Sequence, residues 1–343
     1  MVAPVLPEIG DRTGTGPGVA GALVACFALG QFVGYPLAGL LAPRRGASWI
    51  LAASLVLLLV GDAGFVFGDG LGTWFPARVV QGVGAAGLWM GVTFAVLEHW
   101  PGAAYPRLTG VLSAYAVGSI FGPSIGAIGG IRGPFVAHGL VTLAASLALL
   151  ALREPGTRAH LGHDRSVLRT QAFAVAAAGI VLISLAIGTI DGPLPLHFAQ
   201  HLGQRGIAGL YVLTALVVAA ASTTAGRIRP ALALGSSALL IPAGIGIAGI
   251  FGTVAPWTVG LLVAGAGFGL GEAGALGFLL AAVERERIVT AWVIWSQLWA
   301  LGYLVGPAVA GLVAEAVGYG ALGLVPVVGT LLVAYTLRAR VTA

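Results

Sequence analysis

Residues 118–127 read GSIFGPSIGA, and residues 302–307 read GYLVGP. Both set two glycines four positions apart, put a proline directly after the second, and lie inside long apolar stretches. On a helix this spacing puts Gly118, Gly122, Gly126 and Gly130 in one row, and Gly302, Gly306, Ala310 and Ala314 in another. Small side chains at every fourth position let a neighbouring helix come close. Pro123 and Pro307 would free the carbonyls of Ser119 and Tyr303, kinking each helix. Working outward from this pair, the two halves of the chain echo each other in order. PVLP from Pro4 returns as PLPL from Pro193, GVAG from Gly18 as GIAG from Gly206, and AGLLAPRR from Ala38 as AGRIRP from Ala225. GVGAAG from Gly82 returns as GAGFG from Gly265. Five matches in one order, with slowly drifting offsets, indicate a duplication in the same direction.

Composition says where such a chain lives. It is 58% hydrophobic and 8% charged, with mean hydropathy +0.99, whereas a soluble domain carries about 25% charged residues. Crossing the ~30 Å hydrocarbon core takes roughly 20 apolar residues as a helix. Runs of that length fall at 17–41, 47–67, 72–97, 107–129, 134–152, 171–190, 206–225, 231–251, 257–282, 290–314 and 321–337. Arginine placement orients them, because cytoplasmic loops carry the excess of basic residues. Thirteen arginines, from Arg44 and Arg45 to Arg338 and Arg340, fall on one set of connections, and only Arg12, Arg132 and Arg205 on the other. The expectation is a multi-pass protein of the plasma (cytoplasmic) membrane with its C-terminus cytoplasmic.

The formal charge of +5 comes from 17 arginines scattered in ones and twos, with no lysine and no asparagine. That pattern reads as a GC-rich, bacterial codon bias and not as a nucleic-acid surface. One cysteine, Cys26, excludes an intramolecular disulfide and a cysteine-based metal site. The opening residues have neither the basic start nor the apolar core of a signal peptide. They align instead with residues 190–197, the end of a span, so eleven spans of an expected twelve are present and the first is reduced to an outer stub. The domain reading is an N-terminal bundle at 1–152, a cytoplasmic linker at 153–170 and a C-terminal bundle at 171–343. An all-α fold of two parallel-repeat bundles is one plan of secondary transporters.

At this point the motifs resemble the major facilitator superfamily, over nearly the whole chain. The family's loop after the second span, G-x-x-x-D-R-x-G-R-R, is similar to GLLAPRRGAS, through Gly39, Arg44 and Gly46, with Arg45 between them. Pro43 stands in place of the acidic residue, and Ala47 and Ser48 in place of the basic pair. RVVQGVGA matches the fourth-span pattern R-x-x-Q-G-x-G-A through Arg78, Gln81, Gly82, Gly84 and Ala85. The fifth-span pattern of drug/proton antiporters, G-x-x-x-G-P-x-x-G-G, finds Gly118, Gly122, Pro123 and Gly126, with Ala127 at the last position. The resemblance implies proton-coupled multidrug efflux by a monomer, with a small-molecule substrate, protons and the lipid bilayer as partners. The proton gradient would supply the energy, with no cofactor. The eroded loop motif implies altered gating at the inner side.

Ionisable groups inside a bilayer point to function, since each costs roughly 2.5–3.5 kcal/mol at mid-helix. Glu272 lies near the midplane in GAGFGLGEAGALG, where burial penalises its charged form, as suits a site that binds and releases a proton. A structural glutamate is the plainer account. Arg78 is expected ~6–9 Å inside the outer end of its span, where composition alone would let it snorkel and the resemblance implies a functional role, with Gln81 on the same face able to hold it. Asp191 ends its span beside Pro193, which suits solvation at a helix end as well as substrate contact. Asp62 lies in the outer third of its span, with either role open. Glu98, Glu154 and Glu315 lie at helix ends and read as solvated.

Trp292, Trp295 and Trp299 share a helix face and read as packing or membrane-facing before substrate stacking. His160, His163 and Asp164 in the linker are weak metal candidates, so no metal is expected. The absence of lysine excludes a P-loop of the GxxxxGK[ST] type, so direct ATP-driven transport is unsupported. The sequence reading is therefore a proton-coupled exporter of small hydrophobic or drug-like molecules. An importer of one solute and a truncated, non-transporting membrane protein stay open beside it. An enzyme is disfavoured, because no catalytic cluster recurs inside the spans.

Overall fold

The computed structural model describes residues 2–100, 104–152, 166–283 and 288–331, and among them helix is the only regular structure. A 3-10 turn at Ala3–Val5 leads into α1 (Leu6–Thr13) and α2 (Pro17–Arg45). Then come α3 (Ala47–Phe67), α4 (Leu71–His99), α5 (Ala104–Gly126) and α6 (Arg132–Leu152). The second half holds α7 (Gln171–Asp191), α8 (Leu194–Phe198), α9 (Gln204–Ala225), α10 (Pro230–Ile250), α11 (Val254–Ala282) and α12 (Ile288–Ala316). A last helix, α13 (324–331), reaches the limit of the described residues. Helix is what lipid demands, because no water is present to satisfy exposed backbone groups.

Among the described residues, nine helices are long and apolar enough to cross a membrane: α2, α3, α4, α6, α7, α9, α10, α11 and α12. The two further expected spans correspond to the 23-residue α5 and to the shorter apolar stretch Tyr319–Leu331. Large apolar side chains such as Phe67, Leu140, Leu239 and Leu312 point outward, as a lipid-facing surface requires. Local chemistry sets the helix ends. Prolines open α2 and α10, where a missing N–H costs nothing. The Thr170 hydroxyl caps α7 by accepting from Phe173 N–H at 3.2 Å. The loop motif is compressed to one residue: α2 runs to Arg45 and α3 begins at Ala47, with Gly46 at φ 82° turning the chain between them. A left-handed φ of that kind favours glycine.

The duplication is physical. Trp74, fully buried near the start of α4, donates its indole N–H to the Gly68 carbonyl at 3.3 Å. Trp257, at the matching place in α11, donates to the Phe251 carbonyl at 2.5 Å. A Cβ added at Gly82 would overlap the Phe27 carbonyl of α2, and one at its counterpart Gly265 would crowd the Thr214 carbonyl of α9. Gly84 meets Leu58 of α3 as Gly267 meets Ile241 of α10. The two halves thus use the same contacts between helices in the same order. α2, α3, α4 and α6 pack together, as do α7, α9, α10, α11 and α12. Across the halves α2 lies along α12, and α5 lies along α9. One apolar core joins them at the arginine-rich end, bringing Tyr35, Ala38, Met90 and Phe94 against Phe173, Leu279 and Trp292.

The two glycine rows differ. On α12, Gly302 and Gly306 sit so close to α7 that a Cβ would overlap the carbonyls of Val181 and Leu185. Pro307 lies against Gly21 of α2 and Gly188 of α7. On α5 a Cβ at Gly118 meets open space, and the helix stops at Gly126. Gly130 belongs to the following turn, with φ 76°, so the expected fourth member of that row is not on the helix. Spacing predicted small residues on a face of each helix: on α12 Gly302 and Gly306 are pressed against α7, whereas on α5 Gly118 is open and Gly126 is buried.

Candidate functional site

The fourth-span motif is read out by its neighbours. Gly82 lets α2 approach and Gly84 lets α3 approach, which leaves Arg78 and Gln81, one turn apart, on a shared buried face. Arg78 Nη1–H donates to Gln81 Oε1 at 2.9 Å, and Gln81 Nε2–H donates to Asp62 Oδ1 of α3 at 2.7 Å. Asp62 Oδ2 lies 2.7 Å from His138 Nδ1 on α6. Gly61 makes room for the line, since a Cβ there would overlap the Gln81 side chain. The guanidinium of Arg78 also stacks 4.4 Å above the Phe27 ring, while its Nε has no hydrogen-bond partner. Arg78 therefore does not snorkel: it is 6% exposed and turned into the protein.

Asp191 is not left to solvent either. Its Oδ2 accepts from the Tyr303 hydroxyl of α12 at 2.7 Å, and it lies within electrostatic reach of Arg78. Glu272 on α11 is half-buried, within electrostatic reach of the Tyr115 hydroxyl. No described residue hydrogen-bonds its carboxyl. A run of aromatic rings extends towards the arginine-rich end. Trp89 of α4 meets Tyr115 of α5 edge-on at 5.6 Å and stacks on Trp292 of α12 at 6.0 Å. Trp292 reaches Trp295 at 5.7 Å, and Trp299 reaches Tyr303 at 4.9 Å. Trp292 and Trp295 are buried, which rules out a lipid-facing stripe. Their indole N–H groups, Gln31 Oε1 and Ser296 Oγ have no hydrogen-bond partner. Unsatisfied polar atoms beside rings are what a ligand with a flat apolar body and a few polar groups would satisfy.

The structure thus brings Arg78, Gln81 and Asp62 into one line, sets Asp191 and Tyr303 near its Arg78 end, and places Glu272 apart. The loop motif sits elsewhere: Gly39 faces Val293 of α12, Arg44 is exposed, and Arg45 lies over the Trp49 ring at 5.5 Å. Glu315 accepts from Gly18 N–H at 3.0 Å and so caps α2 from α12. Gln204 of α9 donates to the Gly126 carbonyl at 2.8 Å and to Ile128 at 3.1 Å, tying α9 to the end of α5. An apolar crevice between α7, α10 and α13, lined by Leu182, Leu234, Ser237, Pro242, Pro326 and Thr330, contains none of the charged groups. His160, His163, Asp164 and Glu154 lie outside the described residues, and among those described no metal-ligating cluster of three exists. His138, Tyr115 and Tyr303 were missed in sequence. His138 carried a usable signal, an ionisable ring six residues into an apolar span.

These features define an integral membrane protein of two like helix bundles with charged and aromatic groups between them. The chain belongs to the Major Facilitator Superfamily, whose sequence pattern matches residues 1–276. It is similar to Multidrug resistance protein 1 of Bacillus subtilis (strain 168), at 32% identity over 160 residues, 45% of this chain and 41% of that protein. It is also similar to Quinolone resistance protein NorA of Staphylococcus aureus, at 33% identity over 127 residues, 37% of this chain and 33% of that protein. The chain therefore spans less than half the length of these curated relatives. Its fold is like that of the human organic anion transporter MFSD10, with a TM-score of 0.65 at 16% identity, covering 91% of this chain and 83% of that one.

Proposed function

We propose that the chain is a secondary transporter that exports small hydrophobic, drug-like molecules in exchange for protons. The two bundles, 1–152 and 171–343, would rock about the aromatic chamber, in a plasma membrane, with the C-terminus cytoplasmic and no cofactor. The observation that carries this reading is Glu272, a carboxyl inside the bundle near Tyr115 with no hydrogen-bond partner among the described residues. An acid held that way is free to exchange its proton for contact with a solute, which a carboxylate locked in an ion pair is not. Beyond Tyr115, Trp89, Trp292 and Trp295 supply flat apolar surface, and Trp292 and Trp295 add N–H groups without a partner. Arg78 and Asp191 set the charge at the other end of the chamber. The bacterial relatives, a multidrug and a quinolone resistance protein, support the drug-like substrate class.

The test is transport by the purified full chain in proteoliposomes, with ethidium and norfloxacin as probes and an imposed pH gradient. The wild-type chain is expected to move a probe against its gradient and to stop when the pH gradient is collapsed. Glu272→Gln keeps shape and removes the titratable proton, and its driven transport is expected to fall to that of protein-free vesicles. Equal driven transport by Glu272→Gln and wild type would overturn the role of Glu272. Transport indifferent to the pH gradient would overturn proton coupling.

A further inference from the structure

The line Arg78–Gln81–Asp62 does not stop at the carboxylate. It ends on His138, which the proposed function does not use. Asp62 is sealed, with 3% of its side chain exposed, whereas 30% of the His138 side chain is exposed. Each oxygen of the carboxylate has one partner: Oδ1 takes the Gln81 amide and Oδ2 takes the imidazole. Gly61 on α3 clears space for the line, since a Cβ there would overlap the Gln81 side chain. Such a one-to-one arrangement is a built site.

We propose that His138 is a second proton site of this transporter, which controls through Asp62 and Gln81 how firmly Arg78 is held away from Asp191. The inference rests on the function proposed above. With a neutral imidazole the line carries one cation, Arg78, and one anion, Asp62, and the anion's charge is spent on the Arg78 side. A proton arriving at Nε2 of His138 breaks no bond and makes the ring a cation 2.7 Å from Asp62. The line then carries a net positive charge, and the counter-ion left for Arg78 is Asp191, which in turn holds Tyr303 against Trp299. Protonation at the rim is thereby felt inside the chamber.

The surroundings allow this reading. From α3 only Asp62 faces the ring with a charge, and from α4 Gln81 and Arg78 stand behind it. α5 has no ionisable residue between Gly118 and Gly126. On α6 the nearest cation, Arg132, is engaged with Asp69 at 2.8 Å, as is Arg12 at 3.2 Å. Glu8 approaches Gly130 rather than the ring. His138 lies ~9 Å along α6 from Arg132 at 1.5 Å per residue, so its proton would exchange with the compartment at the arginine-poor end. Histidine is the side chain whose charge ordinarily changes between about pH 5 and 8.

The experiment is solid-state NMR on the full chain in lipid, with 15N in the histidine rings and 13C in aspartate. The His138 ring signal is assigned by its loss in His138→Gln. The expected result is that its ring gains a second N–H as the pH is lowered, and that the indole signal of Trp299 moves in the same step. His138→Gln, which keeps an N–H for Asp62 but cannot be protonated, is expected to abolish the Trp299 step, and Glu272→Gln is expected to leave it intact. A His138 ring that keeps one N–H throughout, or a Trp299 step that survives His138→Gln, overturns the proposal. Loss of transport in Glu272→Gln speaks only to the function proposed above, so the two ideas can fail separately.

Discussion

Gly82→Leu is expected to leave little folded protein. α2 and α4 meet backbone to backbone at this point, with Gly30 and Gly82 facing each other. A Cβ at Gly82 would overlap the Phe27 carbonyl, and one at Gly30 would overlap the Val79 carbonyl. Overpacking a core costs about 1–3 kcal/mol where side chains can yield. A helix carbonyl cannot rotate away without breaking its own hydrogen bond, so the cost here is expected at or beyond the upper end of that range. The counterpart Gly265 is looser, since its Cβ would stand 3.1 Å from the Thr214 carbonyl. Gly265→Ala is therefore expected to be milder, and Gly118→Ala, where a Cβ meets open space, close to neutral. Thermal stability of the detergent-purified chain checks the order, and a Gly82→Leu variant as stable as wild type would refute the packing account.

Asp62→Ala is the second large effect. The substitution strands the Gln81 amide, removes the partner of His138 and leaves Arg78 a buried cation without its linked anion. Leaving a buried hydrogen-bonding group without its partner costs about 1–3 kcal/mol, and here two are left at once. Asp62→Asn keeps an oxygen for the Gln81 amide and an amide group facing the imidazole, so its loss should be clearly smaller. Because Asp62 and His138 touch, Asp62→Ala combined with His138→Ala should cost less than the sum of the two. Unfolding of the purified chain in denaturant measures all three, and additive losses would show that the line is not a unit.

Much of the fold was legible because lipid leaves the backbone few choices. Long apolar runs between arginines had to be helices, and the echo of Gly82 in Gly265 had to place like contacts in both halves. What resisted reading depended on which face of a helix meets what. Gly118 and Gly302 share a spacing, yet only Gly302 is pressed against a neighbour, because α7 runs along α12 while nothing approaches α5 at that point. Asp191 reads as a helix end open to water, but Tyr303 arrives from a helix more than a hundred residues away in sequence. Trp292 and Trp295 read as packing or membrane-facing, and the structure stacks Trp89 of the other half on Trp292, which in turn packs on Trp295. His138 carries no formal charge in the sequence, so a pattern of buried acids and arginines does not mark it. The partnership of Trp74 with Gly68, repeated by Trp257 with Phe251, joins residues six apart that no apolar periodicity marks.

The central claim is that two like bundles rock about the chamber between them. Distances between spin labels in the full chain, with Cys26 replaced by serine, test it most directly. One pair belongs at Gly70 and Gly252, on the arginine-poor end of each bundle, where an added side chain meets open space. The other belongs at Arg45 and Arg227, both exposed at the arginine-rich end. On changing pH or adding ethidium, the account predicts that one distance lengthens while the other shortens. Two distances that stay fixed, or that grow and shrink together, would contradict it.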